Sequence, residues 1–208
     1  MPFPLRIDAA GNTHHVNSHG VAGCPVFRDD IDREMFLSLL ADEVDRSKWR
    51  LAAYSLLGTH YHLLIVLTEP TLSSGFQRLN GRFARAYNYR HGRRGALWQR
   101  RFHDRLIESD SHLLEVTRYI ALNASRANLR ARPEEWEWSS YGSTIGHFKP
   151  DPLIDEGAIL GLFGRNAQVA RQRYRAFVEQ GDRRVRRSQI RIGDLSETSQ
   201  RPPRRAAA

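Results

Sequence analysis

Two histidines one residue apart, His60 and His62, lie in an apolar run from Tyr54 to Val66. The run is rich in β-branched, aromatic and leucine side chains. It reads as a buried strand between a polar helical pattern ending near Lys48 and a turn at Glu69-Pro70. Alternation along a strand sends both imidazoles to one face, their Cα atoms roughly 6.5 to 7 Å apart. Leu57, Tyr61, Leu63 and Ile65 go to the other face. Two imidazoles at that spacing can converge on one divalent ion, and they can equally be partly buried histidines satisfied by neighbours. A second polar grouping pairs Tyr119 with Asn123, one turn apart and about 6 Å along a helix axis. His112 and Glu115 share their stripe. A tyrosine on a helix is most often an edge-of-core residue, but the polar company of this stripe points away from that. Glu115 can be a ligand, a proton acceptor or a solvated acid, the last being favoured.

The elements that must position these residues follow from periodicity. Thr13 to His19 alternates as a first strand, with His15, Asn17 and His19 on one face and His14 and Val16 on the other, and Gly20 to Gly23 breaks it. Such a polar face can touch nucleic acid, although a solvated face is the commoner explanation. Asp29-Asp30 offers an N-cap to a helix whose apolar stripe is Ile31, Met35, Phe36, Leu39, Leu40 and Val44. A second helix runs from about Ser73 to Tyr89, with Phe76, Leu79, Phe83 and Tyr87 inward. Arg78, Arg82 and Arg85 form a basic ridge on it with no acidic partner within the helix. Such a ridge is usually a solvated face, and here it can track a phosphate backbone.

Leu97 to Glu108 reads as extended, carrying Arg100, Arg101, His103 and Arg105 among Trp98 and Phe102, a mixture suited to phosphates and unpaired bases. Asp110 is read as the cap of a third helix to Asn123, with Leu113, Val116, Thr117 and Ile120 buried. Glu134 to Tyr141 is expected to lie across the domain rather than in its sheet. Short helices are expected over Asp155 to Phe163 and Val169 to Glu179. From Asp182 onward apolar periodicity gives way to arginine, polar residues and Pro202-Pro203, so disorder is expected there.

The chain has 208 residues, 40% of them hydrophobic, enough for one good-sized core. A single cysteine, Cys24, excludes an intramolecular disulfide framework and a cysteine-rich zinc site. No signal-like segment and no apolar run of membrane-spanning length is visible, so a soluble cytoplasmic protein is expected. The net charge is +9, and Lys48 and Lys149 are the only lysines among 32 cationic residues. Arginine's planar fork suits phosphate, although arginine excess can also reflect genomic base composition. Residues 182–208 carry eight arginines against three acids. This balance implies a polyanionic partner without saying which.

In order, Val26-Phe27-Arg28-Asp29, Tyr54 with Thr59-His60-Tyr61-His62-Leu63-Leu64, Gly95-Ala96-Leu97-Trp98-Gln99-Arg100-Arg101-Phe102, Arg118-Tyr119-Ile120-Ala121-Leu122-Asn123 and Trp138-Ser139-Ser140-Tyr141 resemble the REP-associated tyrosine transposases. These are single-tyrosine members of the HUH nuclease superfamily, and the resemblance covers roughly residues 13 to 142. Departures from the family pattern are Thr59, Ala124-Ser125 and His19. The resemblance implies a ferredoxin-like α/β (α+β) domain, an antiparallel sheet with helices packed on it, over residues 13–128. A short helical extension over 129–181 and a basic tail over 182–208 would follow.

The resemblance also implies Tyr119 as nucleophile, His60 and His62 as the metal pair with Asn123 as a further ligand, and Mg²⁺ or Mn²⁺ as cofactor. The implied reaction is cleavage and rejoining of single-stranded DNA at hairpin-forming palindromic repeats through a 5′-phosphotyrosine. Arg78, Arg82, Arg85, Arg100, Arg101 and Arg105 are the DNA-contact candidates, no membrane is involved, and a homodimer is left open beside a monomer. The competing readings are a non-catalytic nucleic-acid-binding protein of the same fold and a metal-dependent phosphodiesterase using activated water.

Overall fold

The strand expected over Tyr54 to Val66 is a hairpin. Its chain reverses at Leu57 to Thr59, so β2 (Arg50–Leu56) and β3 (His60–Val66) pair antiparallel. The Leu57 amide donates to the His60 carbonyl at 2.9 Å and closes the turn. Apolar residues continue through the reversal and Gly58 is its only local mark, which is why periodicity alone reads one strand. Leu57 leaves the face assigned to it and packs with Ala124 and Trp136.

The computed structural model describes residues 8–181, and the basic tail expected at 182–208 lies outside them. β1 (Thr13–His19) and β4 (His103–Ile107) complete an antiparallel sheet of order β2-β3-β1-β4. With α1 (Asp30–Ser47) between β1 and β2, and α2 (Leu72–Arg90) between β3 and β4, the connectivity is the expected ferredoxin-like β-α-β-β-α-β. β4 is shorter than the extended run read from sequence. Leu97 to Phe102 is irregular, held to the end of β1 by the Val21 amide on the Leu97 carbonyl and the Gln99 amide on the His19 carbonyl, both 2.9 Å. Its aromatics pack against α2. Phe102 is buried against Phe76, and the Trp98 indole donates to the Asn80 carbonyl at 3.0 Å.

α1 and α2 cover one face of the sheet, where Phe36, Leu40, Phe76, Leu79 and Phe83 bury Val16, Tyr61, Leu63 and Ile65. The inward stripe of α1 is Asp32, Phe36, Leu40, Glu43 and Ser47, whereas Ile31, expected inside, is exposed. Both buried acids are met by α2. Arg90 and His91 close on Asp32, and Arg78 donates to Glu43 at 2.7 Å and to Ser47 Oγ at 3.0 Å. Near the start of α2 a Cβ on Gly75 would come within 2.2 Å of the Trp49 ring, so only glycine lets the helix lie this close.

The other face is half covered. α3 (Asp110–Arg126) is capped by Ser109, one residue before the expected cap, whose side chain accepts from the His112 amide at 3.2 Å. Val116, Ile120 and Ala121 pack over Ala52, Ala53 and Leu64. Tyr141, Ile159, Leu160, Ala170, Tyr174 and Val178 of the C-terminal segment join the same cluster. That segment contains α4 (Tyr141–Thr144), α5 (Gly157–Leu160) and α6 (residues 167–181). The stretch before α4 runs along the sheet edge rather than across the domain. The Leu56 amide donates to the Trp138 carbonyl at 2.9 Å and the Ser140 amide to the Tyr54 carbonyl at 3.1 Å, which satisfies the edge of β2. The part of β1 and β3 that carries the histidines lies at the margin of α3, where His62 is buried, His15 and His60 are half-buried and His19 is exposed. Among the described residues no helix is long and apolar enough to cross a membrane.

Candidate active site

Strand register assembles the site. Antiparallel pairing sets Asn17 opposite His62 and His19 opposite His60, and on the other side of β1 it sets Arg105 opposite His15. Paired residues share a face, so His15, Asn17, His19, His60, His62 and Arg105 all lie on the half-covered side. The imidazoles are close. His60 meets His62 edge-on at a 5.1 Å centroid distance, His19 stacks on His60 at 4.4 Å, and His15 Nε2 lies 3.0 Å from His62 Nδ1.

α3 brings the tyrosine. The Tyr119 ring stands edge-on to His62 at 5.2 Å and to His15 at 5.9 Å, and it is 39% exposed. The remaining tyrosines near cores are sealed. Tyr61 is fully buried with its hydroxyl on Ser18 and Asn80, and Tyr87 donates to the Pro25 carbonyl. Burial pushes the phenols of Tyr54, Tyr61, Tyr141 and Tyr174 well above the ordinary range. Tyr89 is exposed, but it sits on α2 behind the sheet.

A depression of about 600 Å³ opens over this group, lined among others by His15, His62, Arg105, Glu115, Tyr119 and Arg126. Arg126 holds its guanidinium 5.6 Å from the centre of the Tyr119 ring. Glu115 is ion-paired with Arg118. A second depression of about 290 Å³ shares Asn17 and His19 with the first and is lined further by Arg100 and Arg101.

The sequence-predicted residues therefore divide. His62 meets both His60 and Tyr119, although His60 does not line the depression, and Arg100, Arg101 and Arg105 border the group. Asn123 is buried one turn beyond Tyr119, its Nδ2 without a hydrogen-bond partner among the described residues, and it is not among the residues lining the depression. Arg78 and Arg82 belong to the opposite layer and are not an unpartnered ridge. Their acids, Glu43 and Asp42, come from α1, which a search within α2 could not reveal. Arg85 is exposed on the same helix. Two contributors escaped the sequence reading. From sequence His15 reads as one member of a polar strand face, and the spacing of Arg126, seven residues after Tyr119 on the same side of α3, is the signal for a cation at the tyrosine.

Burial keeps the histidines uncharged. It lowers the His62 pKa to about 2, helped by His15 and His60, and the His60 pKa to about 4, helped by His19. It also lowers the His15 pKa to about 4, with His103, His112 and Arg105 adding repulsion. Neutral imidazoles are the metal-binding form. His62 Nε2 is buried with no hydrogen-bond partner among the described residues, an orphaned donor atom of the kind a divalent cation satisfies. No group of three or more histidine, cysteine or acidic side chains able to hold a metal is present among the described residues. The donor set thus fits an ion held by two imidazoles that takes its remaining ligands from oxygens.

No family model matches the chain, and no curated protein matches it significantly in sequence. Among solved structures it is similar to a REP-associated tyrosine transposase bound to a REP hairpin. The TM-score is 0.61 at 17% identity, over 74% of this chain and 90% of that one. The two share a fold. Weaker likenesses, too slight to argue from, are to a protein provisionally assigned as a transposase from Deinococcus radiodurans (TM-score 0.41, 17% identity, 57% of this chain and 95% of that one) and to tRNA(His) guanylyltransferase from Saccharomyces cerevisiae (TM-score 0.42, 10% identity, 81% and 78%).

Proposed function

We propose that this protein is a metal-dependent single-stranded DNA endonuclease and strand transferase of the REP-associated tyrosine transposase kind, acting at hairpin-forming repeats. The observation that carries the reading is the placement of Tyr119. It is the exposed tyrosine that meets the histidines, at the margin of α3 where the sheet face opens toward solvent.

A phenol of ordinary pKa near 10 is ionised in only about one molecule in a thousand at pH 7, so attack on a phosphodiester needs help. His60 and His62 would hold Mg²⁺ or Mn²⁺, with Asn123 proposed to add an oxygen. Such an ion, when bound, withdraws charge from a non-bridging phosphate oxygen. Tyr119 Oη forms the bond to phosphorus as the bond from phosphorus to the 3′ oxygen breaks. The phenol proton passes to solvent in the open depression, and the departing oxygen takes up a proton to become a 3′-hydroxyl. Because the ester energy stays in the phosphotyrosine, the same hydroxyl can reverse the step without ATP. Arg105 and Arg126 flank the tyrosine and would hold the scissile phosphate and its neighbours. Arg100 and Arg101 border the adjoining depression, which would receive the next part of the strand. An open site of this width suits unpaired DNA, whose backbone can be bent into it.

The deciding experiment incubates end-labelled hairpin DNA carrying a single-stranded flank with the protein and Mn²⁺, followed by denaturing electrophoresis. A protein-DNA species that survives denaturation and is abolished in Tyr119→Phe is expected. Cleavage with no such species would favour hydrolysis by activated water, and binding with no cleavage a non-catalytic role.

A further inference from the structure

We infer that His15 is a positioning residue that fixes His62 with its proton on Nδ1, leaving Nε2 as the lone pair directed at a bound cation. The inference rests on the reading that His60 and His62 hold a divalent ion, and it adds a residue that neither motif nor spacing marks.

The geometry is that of a shared proton. His15 Nε2 and His62 Nδ1 are 3.0 Å apart, while the ring centroids are 5.1 Å apart and the planes differ by 28°. A centroid separation that exceeds the nitrogen separation by about the sum of two ring radii means that the rings meet edge to edge, close to in line, and not face to face. Two neutral imidazoles in that arrangement hold one hydrogen between them, so one donates and the other accepts.

The two choices differ at the far side of His62. If His15 donates, His62 must carry its hydrogen on Nε2, and that atom is buried with no partner among the described residues. A buried donor without an acceptor is destabilising, and a cation beside it makes matters worse. If His62 donates from Nδ1, Nε2 is a bare lone pair in the same place, and a divalent cation satisfies it. His15 then carries its own hydrogen on Nδ1, and its ring borders the open depression, where water or a phosphate oxygen can accept it. The edge of Tyr119 against both rings limits their rotation. The strand register makes the contact a property of the fold, since β1 sets His15 diagonally across from His62 on one sheet face.

The test reads His62 directly. Nitrogen-15 spectra of imidazole-labelled, metal-free protein at pH 8 should show His62 as the Nδ1–H form, and a His62 Nε2–H form would overturn the inference. Mn²⁺ affinity, followed by electron paramagnetic resonance, should weaken about 10- to 100-fold in His15→Phe, which keeps the ring but removes the acceptor. His15→Gln can place an amide oxygen near the position of the lost nitrogen and should restore most of the affinity. Thermal melts of each variant separate misfolding from a lost hydrogen bond. Wild-type protein that takes up Mn²⁺ while His15→Phe binds it equally well would overturn the role of His15 alone. Wild-type protein that takes up no Mn²⁺ would overturn the metal reading beneath it.

Discussion

The guanidinium of Arg126 lies over the ring of Tyr119 at 5.6 Å, two turns further along α3. A cation over the ring face restricts how the ring can turn on its helix. Among the described residues Arg126 has no ion-pair partner, and on the proposed function its charge would meet a phosphate at the tyrosine. Tyr119→Phe is expected to bind hairpin DNA nearly as the wild type does while giving neither cleavage nor a covalent adduct. Tyr87→Phe should retain both, and so should Tyr61→Phe at some cost in stability, because Ser18 and Asn80 lose a buried partner. An adduct formed by Tyr119→Phe would remove it as sole nucleophile.

His60→Ala and His62→Ala should each abolish cleavage supported by Mg²⁺ or Mn²⁺, with much smaller losses in DNA affinity. Rates measured across a Mn²⁺ titration check this, and either variant cutting at the wild-type rate would displace the assignment.

Stability of the metal-free protein should depend on pH through the same histidines. Their folded pKa values, about 4 for His15 and His60 and about 2 for His62, lie below the ordinary 6.5. Below pH 6.5 the unfolded chain therefore binds protons that the folded chain refuses, and stability rises with pH. The contribution is complete above about pH 6.5 and is lost as pH falls from there toward 4. Urea midpoints in EDTA between pH 7.5 and 4.5 should fall, and the fall should be shallower in His62→Gln. Equal slopes in the two proteins would show that burial does not hold this imidazole neutral.

The arginines should separate into two kinds. Arg105→Ala is expected to weaken single-stranded DNA binding and to lower the magnitude of the salt slope by about 0.7, the value for one phosphate contact. Arg78→Ala should leave that slope unchanged and instead cost about 3 kcal/mol of stability, because Glu43 is left buried and unpaired. Denaturant titration and binding isotherms at several salt concentrations distinguish them.

Gly75→Ala should destabilise the fold by about 1 to 3 kcal/mol, since the added methyl group meets the Trp49 indole. A compensating Trp49→Phe would recover part of that loss if the clash is the cause.

Much of this arrangement is written locally. Alternation alone puts His60 and His62 on one face, and helical spacing alone separates Tyr119 from the buried stripe of α3. The topology is less visible, because nothing at Leu57 to Thr59 except Gly58 signals that the chain reverses. Contacts between distant segments are not visible at all. The ion pairs of Asp32 and Glu43 exist only once α2 supplies Arg90 and Arg78, and Trp98 and Phe102 find Asn80 and Phe76 only when that helix docks. His15 falls in the same class. Its meaning depends on the register of β1 against β3, which is set by pairing and not by any residue near it.

That register also has a consequence for the order of events during synthesis. Most groups around the depression come from β1, from β3 in the middle, from β4 and from α3, which ends at Arg126, with Gly181 of α6 at its rim. The central strand β1 pairs with β3 and β4, so it has no complete place in the sheet until residue 107 has left the ribosome. A chain released before α3 emerges carries histidines with no tyrosine beside them. On the proposed function, a prematurely terminated copy would be inert, and the cell would meet the assembled site only in chains that have been translated through it.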